Sequence, residues 1–283
     1  MSVELRVLTD GIGPKDLDAL RGLEARTVET DGGRLKLEWG AIMVGRVKTA
    51  ALAVDESGLI GYLGRDKYGD STPELAGMVD PARRRRGVGA MLLDTVLDAC
   101  AELGDETALL IVPRSSTDGA RLAQARGGRL EHSEHSLRLR GDAGPAPSHD
   151  EILLRQARPE DLDAIAALMS EGFGHPHRPS EDDLSNTYVV TGASDLIGTI
   201  RLTREDSTGY VHGFTIQGVR RGRGIGRDIL RRSVGLLHDQ GAAEVRLEVD
   251  VDNEGALGLY TSLGFEPVLT EDYYELPTRG DAS

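Results

Sequence analysis

Two stretches of this chain say nearly the same thing: ARRRRGVGAMLL (Ala82 to Leu93) and VRRGRGIGRDIL (Val219 to Leu230). Arg84 and Arg221 stand 137 residues apart, close to half of the 283-residue chain. A repeat at that period constrains the fold strongly, because each copy must be a unit with its own core. Halves of about 140 residues are large enough for one. The order of elements agrees. In the second half the apolar patterning predicts a strand near 151–157 and a helix opened by Pro159. Strands follow near 187–191, 195–204 and 209–217, then a helix over 223–240, the strand AEVRLEVDV, a helix from Asn253 and two short closing strands. The first half repeats the series from ELRVLT to RLEHSEHSLRLR, and GDAGPAPSHD (Gly141 to Asp150) reads as the linker. The expectation is an α+β chain of two tandem domains, 1–140 and 151–283, joined by 141–150.

Charge is uneven. Of a formal net charge of −14, residues 141–283 carry −12. So acidic a body repels nucleic acid, and the basic run Arg83 to Arg86 suits a small anion better than a DNA backbone. An acidic surface also tolerates cationic partners such as amines. No apolar run approaches the roughly 18–20 residues of a membrane span, and MSVELRVLTD has none of the features of a signal peptide. A cytoplasmic protein, monomer or homodimer, with neither membrane nor nucleic acid as partner, is expected. The single cysteine, Cys100, lies among helix-spaced apolar residues and is expected to be a buried, inert thiol.

A strand that ends in arginines and glycines and turns at once into a helix presents backbone N–H groups where the helix dipole favours negative charge. Gly224 and Gly226 let that backbone approach a phosphate, Gly222 and Ile225 complete the run expected to bind it, and Arg221 and Arg223 add charge-assisted bonds. The first copy offers Arg84, Arg85, Arg86, Gly87, Val88 and Gly89. Arg227 stands where a Rossmann fingerprint needs a third glycine, and no Gly-Lys-Ser/Thr of a P-loop occurs. His175 and His177 flank Pro176, and His132 and His135 sit near strand boundaries. None has a supporting ligand set, so no metal is expected.

Together with RRGRGIG, the downstream run EVRLEVDVDNEGALGLYTSLGFEPV (Glu244 to Val268) resembles the GNAT superfamily of N-acetyltransferases. The resemblance covers nearly all of 151–276. It implies two GNAT-like domains, each a mixed, largely antiparallel sheet flanked by helices, with a splayed pair of strands for the acetyl-CoA cosubstrate. Main-chain groups of Phe214 and Ile216 would pair with the pantetheine arm, and Asn253 matches the family asparagine, which also suits a plain helix N-cap. Tyr260 matches the tyrosine that protonates the departing thiolate; a core aromatic is the structural alternative. Glu248, 12 residues before it, resembles in spacing and setting the catalytic glutamate of the family's ribosomal-protein alanine acetyltransferases, although an ion-paired strand residue looks the same in sequence. His212 is the reserve base. The acidic Glu181, Asp182 and Asp183 fall in the substrate-facing loop and suit a cationic amine or a helix N-terminus equally.

The first half keeps only part of this pattern. Glu74 occupies the fourth strand, where some relatives keep their base, but Ala123 falls at the tyrosine position and no asparagine precedes it. The resemblance therefore implies acetyl transfer to a primary amine of a small molecule or peptide, catalysed in the C-terminal domain beside a degenerate first copy. Such tandems are similar to mycothiol synthase-like acetyltransferases, which implies a cysteinyl amine on a sugar-inositol scaffold as one acceptor. The remaining alternative is a non-catalytic acyl-CoA-binding scaffold or sensor.

Overall fold

The computed structural model describes residues 3–278 apart from 33–35, 38, 68, 70, 175–178, 180 and 194. His175 and His177 thus lie outside the described residues. The first half runs β1 (Glu4–Leu8), α1 (Pro14–Asp31), α2 (Trp39–Met43), β2 (Thr49–Asp55), β3 (Gly58–Asp66), β4 (Glu74–Val79), α3 (Val88–Glu102), β5 (Thr107–Pro113), α4 (Thr117–Ala125) and β6 (Arg129–Arg140). The second runs β7 (Leu153–Gln156), α5 (Leu162–Phe173), β8 (Thr187–Thr191), β9 (Leu196–Glu205), β10 (Thr208–Ile216), α6 (Ile225–Asp239), β11 (Glu244–Asp250), α7 (Glu254–Thr261) and β12 (Glu266–Pro277). The short α2 escapes the sequence reading because five residues carry no helical period.

The chain forms two compact units, Met1–Ser133 with Leu269–Ser283, and Glu134–Val268. Each is an α+β unit built on a mixed sheet. In the first the strand order is β1-β2-β3-β4-β5-β12, antiparallel except for β4 beside β5. In the second it is β6-β11-β10-β9-β8-β7, antiparallel except for β10 beside β11.

The units do not part at 141–150. The second half closes with one 12-residue strand instead of two short ones, and its later residues complete the first unit. Glu271 to Pro277 pair with Pro113 to Thr107, Tyr274 and Leu276 enter the core under α3, and Arg114 bonds Asp272 at 2.7 Å. Reciprocally, Glu134 to Arg140 pair with Asp250 to Glu244, burying Leu137 and Leu139 against α6 and α7. Alternation assigns each strand an inner and an outer face but no partner, so the exchange has no sequence signature. The 141–150 segment itself packs into the second unit, where the Gly144 N–H donates to Leu263 O at 3.0 Å. Cys100 is fully buried, and burial pushes its thiol up to about 11, as an inert core cysteine requires. No helix among the described residues is long and apolar enough to cross a membrane.

Candidate active site

The repeat becomes a repeat of geometry. In both copies the strand ends in a short 3-10 turn, Pro81–Arg83 or Gly218–Arg220, and the helix follows a left-handed N-cap glycine, Gly87 at φ 83° and Gly224 at φ 81°. The residue two before each cap is also left-handed: Gly222 at 75° and, in the first copy, Arg85 at 61°. The arginine Nε bonds the strand's last carbonyl in each, Arg84 to Val79 O at 3.2 Å and Arg221 to Ile216 O at 2.7 Å. In α6 the first helical bond runs from Asp228 N to Gly224 O, and in α3 from Met91 N to Gly87 O. The amides of Ile225, Gly226 and Arg227, and of Val88, Gly89 and Ala90, therefore have no helical acceptor and point off the helix end. Both copies thus have the backbone geometry expected of an anion cradle.

Glycine is needed at 224 for its left-handed backbone and for the packing over it, since a Cβ there would lie 3.0 Å from Pro147 Cγ. At Gly226 a Cβ would make only ordinary contacts, 3.5 Å to Leu259 and 3.7 Å to Phe214. The strap over Gly224 is residues 147–149. His149 N donates to buried Asp228 at 3.1 Å, and Arg232 donates to His149 O at 3.0 Å and to Ile152 O at 2.9 Å. Nothing lies within 4 Å of the matching position at Gly87.

Beside each cradle the parallel pair splays. β4 and β5 pair only at Glu74 with Leu109 and Leu75 with Leu110, and beyond them opens a cleft of about 690 Å³. Its walls are Gly77, Met78 and Val79 on one side and Ile111, Val112 and Pro113 on the other, with Leu269 of β12 also on its lining. Glu74 is elsewhere: it faces Tyr62, Asp66 and Leu37 in a small separate cavity. β10 and β11 pair as far as Val211 with Leu247 and then part. A bulge between His212 and Thr215, with Gly213 at φ 53°, shifts the alternation of β10 by one residue. As a result Phe214 and Ile216 turn toward α6, into the same cluster as Ile225 and Ile229. The main chain of Ile216 is in part engaged, because its carbonyl already accepts from Arg221.

Glu248 and His212 share a sheet face. Val245, Leu247 and Val249 point into the core under α6 and α7, which puts Glu248 on the opposite face. His212 follows buried Val211 and sits on that face too, with Nε2 3.0 Å from Thr203 Oγ1 and its ring stacked on Tyr210. Tyr260 lies on the other side. It is 7 % exposed in the core cluster, edge-on to Phe265, and burial pushes its phenol up to about 12. The splay is the gap in the sheet through which the two sides meet. Asn253 caps α7, its Oδ1 accepting from Ala256 N at 3.1 Å. Ser116 does the same for α4, so the first copy replaces the asparagine with another N-cap. In the 3-10 turn Glu181–Asn186 Asp183 pairs with Arg201 at 3.3 Å.

The cradle arginines differ between copies. Arg84 binds Asp31 through both terminal guanidinium nitrogens at 2.7 Å, Arg85 binds Asp118 at 2.7 Å, and Arg83 binds Asp55 at 2.8 Å. Arg221 and Arg223 have no carboxylate partner among the described residues. The sequence points to all these arginines alike and misses Asp31, Asp118, Leu269 and the strap. Asp118 is visible as an acidic residue early in a helix, but its partner is not.

Paired units of this kind, each with an anion cradle beside a splayed strand pair, define an acyltransferase of tandem architecture. The chain belongs to the acetyltransferase (GNAT) family as a tandem N-acetyltransferase, the family's sequence profile matching residues 26–127 and 156–265. It is similar to the mycothiol acetyltransferase of Actinosynnema mirum, 28 % identical over 94 % of this chain and 98 % of the relative. The mycothiol acetyltransferase of Clavibacter michiganensis subsp. michiganensis is 30 % identical over 73 % of each. Among solved structures, a GCN5-related N-acetyltransferase from Sphaerobacter thermophilus shares the fold with a TM-score of 0.79 at 20 % identity, covering 97 % of this chain and 96 % of that one. A tandem GNAT protein from the clavulanic acid biosynthesis pathway gives 0.73 at 17 %, covering 98 % and 99 %. The family uses acetyl-CoA as acyl donor.

Proposed function

We propose that this enzyme transfers the acetyl group of acetyl-CoA to a primary amine in its second unit, and that the acceptor is a cysteinyl amine of the kind the mycothiol acetyltransferases serve. The observation that carries the reading is the asymmetry around the two splays: Glu248, Tyr260 and cradle arginines without a carboxylate partner in one, Ile111, Ala123 and the carboxylate-bound Arg84 and Arg85 in the other. The acceptor follows relatives that carry that name along nearly the whole chain.

The residues fit the cosubstrate. The amides of Ile225, Gly226 and Arg227, with Arg221 and Arg223, would hold the diphosphate, and the parted ends of β10 and β11 would admit the pantetheine arm. The thioester supplies an activated acyl carbon. Glu248 takes the proton from the incoming ammonium, with His212 on the same face as the alternative base. Tyr260, held protonated by burial, gives a proton to the departing thiolate. The enzyme works in the cytoplasm, and the first unit contributes no group to the transfer.

The test is thiol release from acetyl-CoA with a pool of amines that includes cysteinyl pseudo-disaccharides and peptide N-termini, products being identified by mass. Acetylated cysteinyl amine is the expected product. A folded protein that binds acetyl-CoA and acetylates nothing would instead be a scaffold.

A further inference from the structure

The first cleft carries its own anions. Asp31, at the C-terminal end of α1, and Asp118, in the first turn of α4, both line it, and they hold Arg84 and Arg85, two of the three arginines this cradle offers to a diphosphate. Among the described residues the second unit has no carboxylate on its cradle arginines, and Glu171 near the end of α5 accepts from Gly218 N instead. Its α5 ends on Phe173, before a left-handed Gly174 as α1 ends on Asp31 before left-handed Gly32, and the second residue of α7 is Gly255 where α4 has Asp118. Glu254 of α7 makes no ion pair among the described residues. Both clefts share the cradle backbone; they differ in these carboxylates, in Arg85 standing where the second copy has Gly222, and in the cover of residues 147–149 over Gly224, which Gly87 lacks.

We propose that Asp31 and Asp118 are specificity-determining residues of the first cleft: internal counter-anions that must release Arg84 and Arg85 before a CoA diphosphate can enter. The inference rests on the reading that this chain binds CoA. It makes the first cleft the weaker of two CoA sites, filled only after the second. The gate is light, because both ion pairs are partly exposed, with side chains 33 % and 39 % accessible for Arg84 and Asp31 and 67 % and 47 % for Arg85 and Asp118. Exposed pairs of this kind hold loosely, so freeing both arginines should change affinity about ten-fold.

Calorimetric titration of the full chain with CoA, and separately with pantetheine, tests this. In the Asp31→Asn/Asp118→Asn double variant the weaker CoA site should tighten about ten-fold and should disappear on adding Gly87→Val, which assigns it to the first cleft. Pantetheine, which lacks the diphosphate, should bind the parent and the double variant alike. The reciprocal change, Gly255→Asp, should weaken CoA at the second cradle several-fold. An unchanged or weakened first site in the folded double variant overturns the inference, as does equal tightening of pantetheine or the absence of any first-site binding. Those outcomes can occur while the second site binds and turns over normally. Loss of binding and turnover at the second cradle of the parent would instead sink the proposed function.

Discussion

The phenol of Tyr260 fills the core beside Phe265, and the proposed acid role gives it a second task, holding a proton. Burial raises its pKa to about 12, so its acid form persists across the range in which an acceptor amine loses its proton. The value of kcat/KM should therefore climb through the acceptor's pKa and level off. A descending limb near pH 10 in the folded enzyme would show that the acid is a different, solvent-exposed group. Stability has the same sign. A pKa raised by folding stabilises fully below the unfolded value near ~10 and is lost as pH rises through about 12, so Tyr260→Phe should flatten alkaline unfolding in that window. Tyr260→Phe and Glu248→Gln should each lower kcat by roughly 10²–10⁴-fold with acetyl-CoA affinity nearly intact. A Glu248→Gln enzyme of normal rate would pass the base role to His212.

At the scale of the element, the strand-loop-helix is held by conformation before it is held by contacts. Gly224 at φ 81° is left-handed, with Pro147 poised over it, whereas Gly226 is helical and roomy. Gly224→Ala should cost about 1–2 kcal/mol from the backbone alone, while Gly226→Ala should be neutral or stabilise by up to about 1 kcal/mol. Urea unfolding of the two variants checks the contrast, and equal losses would mean that space, not φ, selects glycine in this loop. Gly224→Val should abolish acetyl-CoA binding at this cradle, as calorimetry would read. The N-cap of α7 behaves as a separate small unit: Asn253→Ala should cost about 0.5–2 kcal/mol of stability.

The whole molecule is two units built from interleaved segments. Each unit takes a strand from the other half of the chain, with Leu137 and Leu139 buried in the second and Tyr274 and Leu276 in the first. Losing such a strand removes buried apolar side chains, the leucines at about 1.5–3 kcal/mol each, and leaves a sheet edge unpaired. Fragments 1–145 and 146–283 should each fail to fold when expressed alone and should associate into a folded complex when coexpressed. Size-exclusion chromatography and circular dichroism decide it. Two soluble, folded, separate fragments would mean that the exchanged strands are dispensable.

By itself the sequence determined the duplication, nearly every strand and helix, and the two glycine-opened helix starts, because these rest on local rules: alternation, helical period, and glycines beside arginines at a helix start. Asn253 was legible as an N-cap for the same reason, its partner Ala256 lying three residues away. The positions of Tyr260 and Glu248 were legible through resemblance, but their opposite sheet faces depend on the register of β11 and the packing of α7. The bulge at Gly213 is equally silent, since one extra residue in β10 rephases Phe214 and Ile216 without altering the pattern that marks a strand. Only the tertiary structure decided that β6 and β12 exchange units, that Asp31 reaches Arg84 across 53 residues, and that the supposed linker packs over Gly224. The physical reason is common to all three. A side chain's local pattern records whether it is buried or exposed, whereas its partner is chosen by long-range packing, in which strands of matching alternation compete on nearly equal terms.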